Sequence, residues 1–394
     1  MHSFVQYTPT KVVFGRDTEK ETGKLVSETG ASRVLLVYGG QSAEKSGLLD
    51  RIRESLREEG IIWEELPGVK PNPRMSLARE GVEKALSMNA ELILAVGGGS
   101  AIDTAKAVAA GAAQPDADLR DIWTGVRKLE YALPVGAVLT ISAAGSEMSD
   151  SAVLTDEETG KKSGINSDLI RPKFAVMNPE LTFTLPPYQI ACGVVDILMH
   201  TLERYFSPVA GNRMTDELAE GLMRTVVEEG EKFYRNPSDY DAASEIMWCG
   251  SLSHNGITGL GRPRDFMCHK FGHELGARFD EAHGATLSAV WGSWARYVYK
   301  KDVERFTRFG YKVWGLKEEN PERGAVLAIE KTEKFFRRLH MPVCLGELSC
   351  GVQPDEVLRE MADSATKGDT VKLGAFWKMG AKEMYEIYQR ANHG

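Results

Sequence analysis

The chain lacks the marks of several large classes of protein. Its five cysteines, Cys192, Cys249, Cys268, Cys344 and Cys350, are an odd number without a Cys-x-x-Cys spacing. They fit reduced thiols in a cytoplasmic protein. No run reaches the ~18 apolar residues of a membrane span. The opening Met1-His-Ser-Phe-Val-Gln-Tyr-Thr-Pro-Thr10 has no basic stretch followed by an apolar one, so no signal peptide is expected. Positive charge is also short: 48 Lys and Arg face 56 Asp and Glu, a net charge of −8. This argues against a nucleic acid or an anionic membrane as partner. Internal repeats and low-complexity tracts are absent.

What remains is ordinary in bulk and specific in detail. With 394 residues, 42% apolar and 26% charged, the chain has room for two or three soluble domains. Arg33–Tyr38, Leu92–Val96 and Leu133–Thr140 are continuous apolar runs, the pattern of strands buried on both faces. Lys11–Gly15, Ile61–Glu65 and Phe174–Met177 read as further strands, and Ser151–Asp156 with Lys162–Ile165 as a hairpin around Glu157-Glu-Thr-Gly160. Helical patterns at Asp17–Thr29, Ala43–Glu59, Met75–Ser87 and Ala101–Ala110 separate the strands. The alternation predicts an α/β domain with a mostly parallel sheet over residues 1–187. After Leu185-Pro-Pro187 the character changes, and an all-helical domain is expected over 188–394, with the cleft between the two as the default ligand site.

Two stretches carry chemistry. Val96 runs into Gly97-Gly-Gly-Ser100 and a strong helix former, so backbone N–H groups and the helix dipole can meet an anion, with Ser100 as the expected cap. Ile102 stands at the last glycine position of Gly-x-Gly-x-x-Gly, and no Gly-Lys-Ser/Thr follows, which rules out a Walker loop. In the helical part, three of the eight histidines, His269, His273 and His283, fall within fifteen residues, and Asp196 and His200 repeat an i, i+4 spacing inside an apolar run. A carboxylate there needs compensation, because an unpaired buried charge costs on the order of several kcal/mol. A divalent ion held by nitrogen and oxygen, Fe2+ or Zn2+, supplies it. Spacing alone pairs His269 with His273. The segment is not a zincin helix, since Ala277 replaces the second histidine of His-Glu-x-x-His. Met199, Phe266, Met267 and Trp294 lie close by in sequence, but at helical spacing such residues are core more often than substrate wall.

Together these residues resemble the iron-dependent (type III) alcohol dehydrogenases, in particular their NADP-using butanol dehydrogenase-like branch. The resemblance rests on Tyr38-Gly-Gly-Gln-Ser42, Pro71-Asn-Pro73, Gly97-Gly-Gly-Ser-Ala-Ile-Asp-Thr-Ala-Lys106, Leu139-Thr140 with Gly145-Ser-Glu147, Leu185-Pro-Pro187, Gly193-x-x-Asp-x-x-x-His200, and His269-x-x-x-His273 with His283-Gly284. It covers the chain to about residue 300 and weakens beyond. It implies a dehydroquinate synthase-like architecture with Asp196, His200, His269 and His283 as metal ligands. It places His273 near the nicotinamide without binding metal, and Asp103 on the nicotinamide side, both as catalytic candidates. The pyrophosphate falls to Gly98, Gly99 and Ser100; Asn72, Thr140, Lys162 and Thr182 line the cofactor groove, with Gly39, Gly40 and Ser42 at the adenosine ribose. No carboxylate stands at 39–42 to repel a 2′-phosphate, which favours NADP over NAD. Ala144 departs from the branch, which usually has threonine there.

The resemblance implies hydride transfer between the nicotinamide and a primary alcohol or aldehyde such as butanol or butyraldehyde, in a homodimer. Three other readings compete. A polyol dehydrogenase or dehydroquinate synthase-like lyase shares the architecture, and Arg262, Arg264 and Lys270 leave a phosphorylated substrate open. A non-catalytic nucleotide-binding protein predicts no metal. A metal-dependent hydrolase leaves the glycine turn without a purpose.

Overall fold

The computed structural model describes residues 1–394. Two compact units emerge, Tyr7–Thr184 and Leu185–Gly394, the second also taking in Met1–Gln6. The first is built on strands β1 (Lys11–Phe14), β2 (Arg33–Tyr38), β3 (Ile62–Leu66), β4 (Leu92–Gly97), β5 (Val135–Leu139), β6 (Ser151–Asp156), β7 (Lys161–Asn166) and β8 (Phe174–Met177). Its helices are α1 (Thr22–Glu28), α2 (Gln41–Lys45), α3 (Leu48–Glu58), α4 (Met75–Ser87), α5 (Gly99–Ala113) and α6 (Leu119–Thr124). Six strands form one sheet in the order β3-β2-β4-β5-β8-β1, every pair parallel. The interior strands β4 and β5 are apolar along their length because helices cover both faces. At one edge, β3 alternates exposed and half-buried residues. β6 and β7 pair antiparallel as a separate hairpin.

This order fixes where a ligand belongs. From β2 the chain steps outward to β3 and then crosses back to β4 on the other side of β2. The turns after β2 and β4 therefore flank a topological switch point, where open α/β sheets take ligands beyond the carboxyl ends of their strands. Those turns are Gly39-Gly40 and Gly97–Gly99.

The helical unit contains α7 (Pro187–Tyr205), α8 (Arg213–Arg235), α9 (Tyr240–His254), α10 (Met267–Phe279), α11 (His283–Val298), α12 (Val303–Trp314), α13 (Pro321–Arg338), α14 (Asp355–Ala365) and α15 (Ala381–Ala391). α7 is buried at every residue from Gly193 to Tyr205. A helix covered all round is the axis of its unit. No helix of the chain is long and apolar enough to cross a membrane.

Several expectations need correction. Met1–Gln6 do not join the α/β domain expected over 1–187: the His2 N–H donates to Asn212 Oδ1 at 2.7 Å and its Nε2 meets the Ala210 carbonyl at 2.8 Å, both in the helical unit. The division falls between Thr184 and Leu185, with Pro187 as the first helical residue of α7. The helix expected over 43–59 is two helices, broken where Gly47 takes φ 69°. Ser100 is not a cap, because α5 starts at Gly99 with Gly98 as N-cap and no side chain capping it. α6 was not foreseen; the Asp118 side chain starts it by accepting from Arg120 N–H at 2.7 Å.

Candidate metal centre and cofactor turn

Three helices bring four ligand candidates together. Asp196 and His200 sit one turn apart on α7, His269 lies in the first turn of α10, and His283 opens α11. Around Asp196 Oδ1 stand His200 Nδ1 at 3.1 Å, His269 Nε2 at 3.6 Å and His283 Nε2 at 3.7 Å. Yet that buried oxygen has no hydrogen-bond partner. The ring nitrogens are arranged just as oddly. His200 Nδ1 donates to the Asp196 carbonyl at 3.0 Å, and His269 Nδ1 donates to the Glu203 carboxylate. Each Nε2 is thereby left as an acceptor, and the two face each other at 3.1 Å. With both rings neutral, two lone pairs so placed repel, and only a proton on one ring or a metal cation beside both relieves them.

The donor set fits such a cation. Bonds of about 2.0–2.1 Å to a tetrahedral ion put neighbouring ligand atoms roughly 3.3–3.4 Å apart; the ligand atoms of Asp196, His200 and His269 lie within 4.8 Å of one another, the two Nε2 atoms 3.1 Å apart and His269 Nε2 3.6 Å from Asp196 Oδ1, with His283 Nε2 3.7 Å from that oxygen. The electrostatics agree. Burial opposes ionisation of Asp196, but the imidazoles of His200 and His283 hold its carboxyl well below the usual carboxylate range. Burial keeps His200 below its ordinary value and so neutral, the form that ligates. His269 is raised to about 9 against its burial, by the carboxylates of Glu203 and Asp196, so that without an ion the ring holds a proton on Nε2 that a bound ion would displace.

Glu203 escaped the sequence reading. It stands at i+7 from Asp196 on the same face of α7, and besides His269 Nδ1 it takes the backbone N–H of Cys268 and, at 3.4 Å, that of His269. One carboxylate from α7 thus caps the first turn of α10 and holds the His269 proton on Nδ1, as carboxylates do for histidines that bind metal. A second carboxylate inside the apolar run was the available signal. His254 on α9 was also missed. Its ring packs edge-on against His200 with centroids 4.2 Å apart, and burial holds it well below its ordinary range.

α11 reaches the site because Gly284 has no side chain. A Cβ there would lie 2.3 Å from the Cys192 carbonyl oxygen and 2.6 Å from the Cys192 Cα on α7. His273 is half-buried and outside the cluster, its ring centroid 6.4 Å from that of His269 and 5.7 Å from that of His283. Met199, Met267 and Trp294 are core rather than pocket wall. Phe266 packs over His269 with centroids 4.9 Å apart. Arg262 is engaged with Asp216 and the Gly211 carbonyl, which removes it from any phosphate-binding cluster.

In the α/β unit the cofactor candidates fall into three places. Gly39 and Gly40 follow β2 and Ser42 lies in the short α2. Gly98, Gly99 and Ser100 begin α5, where a Cβ on Gly98 would sit 2.0 Å from Ile141 Cγ2 and one on Gly99 3.1 Å from Ala144 Cβ. The turn is therefore bare backbone, pressed against the segment after β5, and Thr140 N–H donates to Gly97 O at 3.1 Å. Asn72 Oδ1 accepts from Lys162 Nζ at 2.9 Å, bringing those two together. Asp103 accepts from Ser146 Oγ at 2.6 Å and Val153 N at 2.9 Å. Thr182 is fully buried, and its hydroxyl donates to Pro179 O at 2.7 Å within its own turn.

Comparison with known proteins shows the family. Residues 9–179 match the model of the iron-containing alcohol dehydrogenases, and residues 190–392 match the C-terminal model of the Fe-containing alcohol dehydrogenase family. NADH-dependent butanol dehydrogenase A of Clostridium acetobutylicum is 38% identical over 99% of this chain and 100% of its own length. NADPH-dependent aldehyde reductase YqhD of Escherichia coli is 35% identical over 88% of this chain and 89% of its own. The crystal structure of NADH-dependent butanol dehydrogenase A from Thermotoga maritima superposes with a TM-score of 0.95 at 37% identity, covering 100% of this chain and 99% of that one. Matched along both units, with its glycine turn and its histidine cluster in place, the chain belongs to the iron-containing alcohol dehydrogenase family.

Proposed function

We propose that the chain is a metal-dependent alcohol dehydrogenase/aldehyde reductase that moves hydride between NADP(H) and a primary alcohol or aldehyde of the butanol/butyraldehyde kind. The observation that carries this is the buried, partnerless Asp196 Oδ1 among the imidazoles of His200, His269 and His283, in a chain whose relatives are named butanol dehydrogenases and an aldehyde reductase.

Asp196, His200, His269 and His283 would hold one divalent ion, Fe2+ or Zn2+, which as a Lewis acid favours negative charge on the substrate oxygen. Glu203 keeps the His269 proton on Nδ1 and so keeps Nε2 toward the ion. The bare turn Gly97–Gly99 lets peptide N–H groups approach the cofactor pyrophosphate, with Asn72, Thr140 and Lys162 lining the groove. His273, close to the ligands and not one of them, takes the proton that the alcohol loses on oxidation and returns it on reduction. Turnover of His273→Ala, followed against pH, tests this last role: the pH dependence is expected to change, and an unchanged profile refutes it.

NADP(H) is favoured because no carboxylate stands at residues 39–42; NADH is the reading favoured by the names of the two butanol dehydrogenases. Parallel NADPH and NADH assays over a series of linear aldehydes, on protein whose iron and zinc have been measured, decide both. Protein without turnover and without bound metal would end the proposal. The expected form is a cytoplasmic homodimer, checked by light scattering.

A further inference from the structure

Lys106 closes the motif that begins at Gly97, and none of the chemistry above uses it. It lies on α5 with 0% exposure, which for a lysine demands a reason. Its ammonium donates to three carbonyl oxygens, Ser146 at 2.8 Å, Ser149 at 3.0 Å and Ser151 at 2.7 Å, with the hydroxyls of Ser146 at 3.0 Å and Ser149 at 3.3 Å completing the cage. Four of the five oxygens belong to the segment joining β5 to β6, and the fifth, the Ser151 carbonyl, to the first residue of β6. One turn earlier on α5, Asp103 grips the same segment through Ser146 Oγ and Val153 N. Inside the segment the backbone adds only long bonds, Met148 N to Gly145 O at 3.2 Å and Ser149 N to Ser146 O at 3.4 Å. α5 thus holds residues 146–151 from one side through Lys106 and Asp103, while Arg171 donates to the Met148 carbonyl and the Ser167 N–H to the Asp150 carbonyl at 2.8 Å from the other.

That segment leaves the carboxyl end of β5, beside the switch point, and its beginning presses on the glycine turn through Ile141 and Ala144. Whatever moves it moves the wall of the dinucleotide groove. We propose that Lys106 is a positioning residue for the nicotinamide cofactor: a tethered internal cation around which Ser146–Ser151 folds, holding the groove wall in its binding shape. The assignment rests on the cofactor reading given under the proposed function. Burial lowers the lysine to about 8, which leaves it a cation at neutral pH.

The test uses the metal-loaded full chain with Lys106→Met and Lys106→Ala. Hydrogen exchange of peptides covering 142–153 is expected to speed up at least tenfold in Lys106→Met. The equilibrium Kd for NADPH or NADH, read by fluorescence, is expected to rise at least tenfold, with metal content unchanged. In Lys106→Ala, ammonium or potassium ions entering the vacated cage are expected to restore part of both, and sodium less. A purely space-filling lysine would show no such selectivity among cations. Should Lys106→Met fail to fold, Ser146→Ala removes the hydroxyl shared by Lys106 and Asp103, and the same two readouts are expected to move about threefold. Wild-type exchange and wild-type cofactor affinity in the variant that folds, or no cation dependence in Lys106→Ala, overturn the proposal. If the wild-type chain binds neither nucleotide, it is the cofactor reading that fails, and the exchange data still decide whether Lys106 clamps the segment.

Discussion

Replacing Gly284 by alanine is expected to cost the protein its metal while leaving both units folded. The added Cβ would begin 2.6 Å from the Cys192 Cα and 2.3 Å from its carbonyl oxygen. Carbon atoms rest about 3.5–4.0 Å apart, so α11 must retreat from α7 by roughly 1 Å. His283 is the neighbouring residue and must follow. Its Nε2 stands 3.7 Å from Asp196 Oδ1, and a shared ion tolerates about 0.2 Å of error in each bond. Overpacking alone costs about 1–3 kcal/mol, which a chain of this size survives. On the proposed set of four ligands the ion loses one donor, and because disturbing even an outer-shell partner typically costs 10–100-fold, a loss of about 100-fold or more in affinity is expected. Competition against a chromophoric chelator measures it directly. Thermal unfolding gives an independent check: at a hundred times Kd, metal adds about 2.7 kcal/mol to the wild type, and the variant should gain almost none of it. Wild-type metal affinity in a folded Gly284→Ala protein would refute the close-approach argument.

Other expectations follow from single contacts. Glu203→Gln keeps the shape of the cap on α10 but removes the charge behind His269, and metal affinity in chelator competition should fall about 10–100-fold. Gly98→Ala puts a methyl 2.0 Å from Ile141 Cγ2; the Kd for the nicotinamide cofactor should rise at least tenfold with metal content unchanged. Asp265 is raised from 3.8 to about 7 by burial and by the Glu203 charge, against the N–H groups of Phe376 and Ala375. Between those pH values the folded chain binds more protons at this carboxyl than the unfolded one, so its contribution is fully present at low pH and is lost as pH rises toward 7. Asp265→Asn should therefore flatten the decline in melting temperature between pH 4 and pH 7, an effect of at most about 4 kcal/mol. A slope equal to that of the wild type would count against the assignment.

Much of this was readable in residue order because it rests on local pattern. β2 and β4 are apolar along their length, so sequence alone locates the buried strands and the glycine turn that ends one of them. Asp196 and His200 are legible for the same reason, being one helical turn apart. Long-range partners are not. Glu203 acts on His269 across 66 residues, so its cap on α10 leaves no periodic trace, and His254 meets His200 only once α9 is laid against α7. Choosing among His269, His273 and His283 is equally non-local, since spacing favours the i, i+4 pair, whereas the imidazoles around Asp196 come from three helices. Gly47 misled in a subtler way: a glycine within a helical pattern is usually tolerated, and here its positive φ ends one helix and starts the next.

The attachment of Met1–Gln6 bears on how the chain is made. Tyr7–Thr184 is an uninterrupted stretch and can close its sheet as soon as it has left the ribosome, but His2 binds Asn212, 210 residues later. At about 5–20 residues per second, the first six residues wait roughly 10–40 s for their partner. Until then they trail as a loose thread bearing Phe4 and Val5, and trimming them should trouble the late-born helices while the early-born sheet folds on schedule.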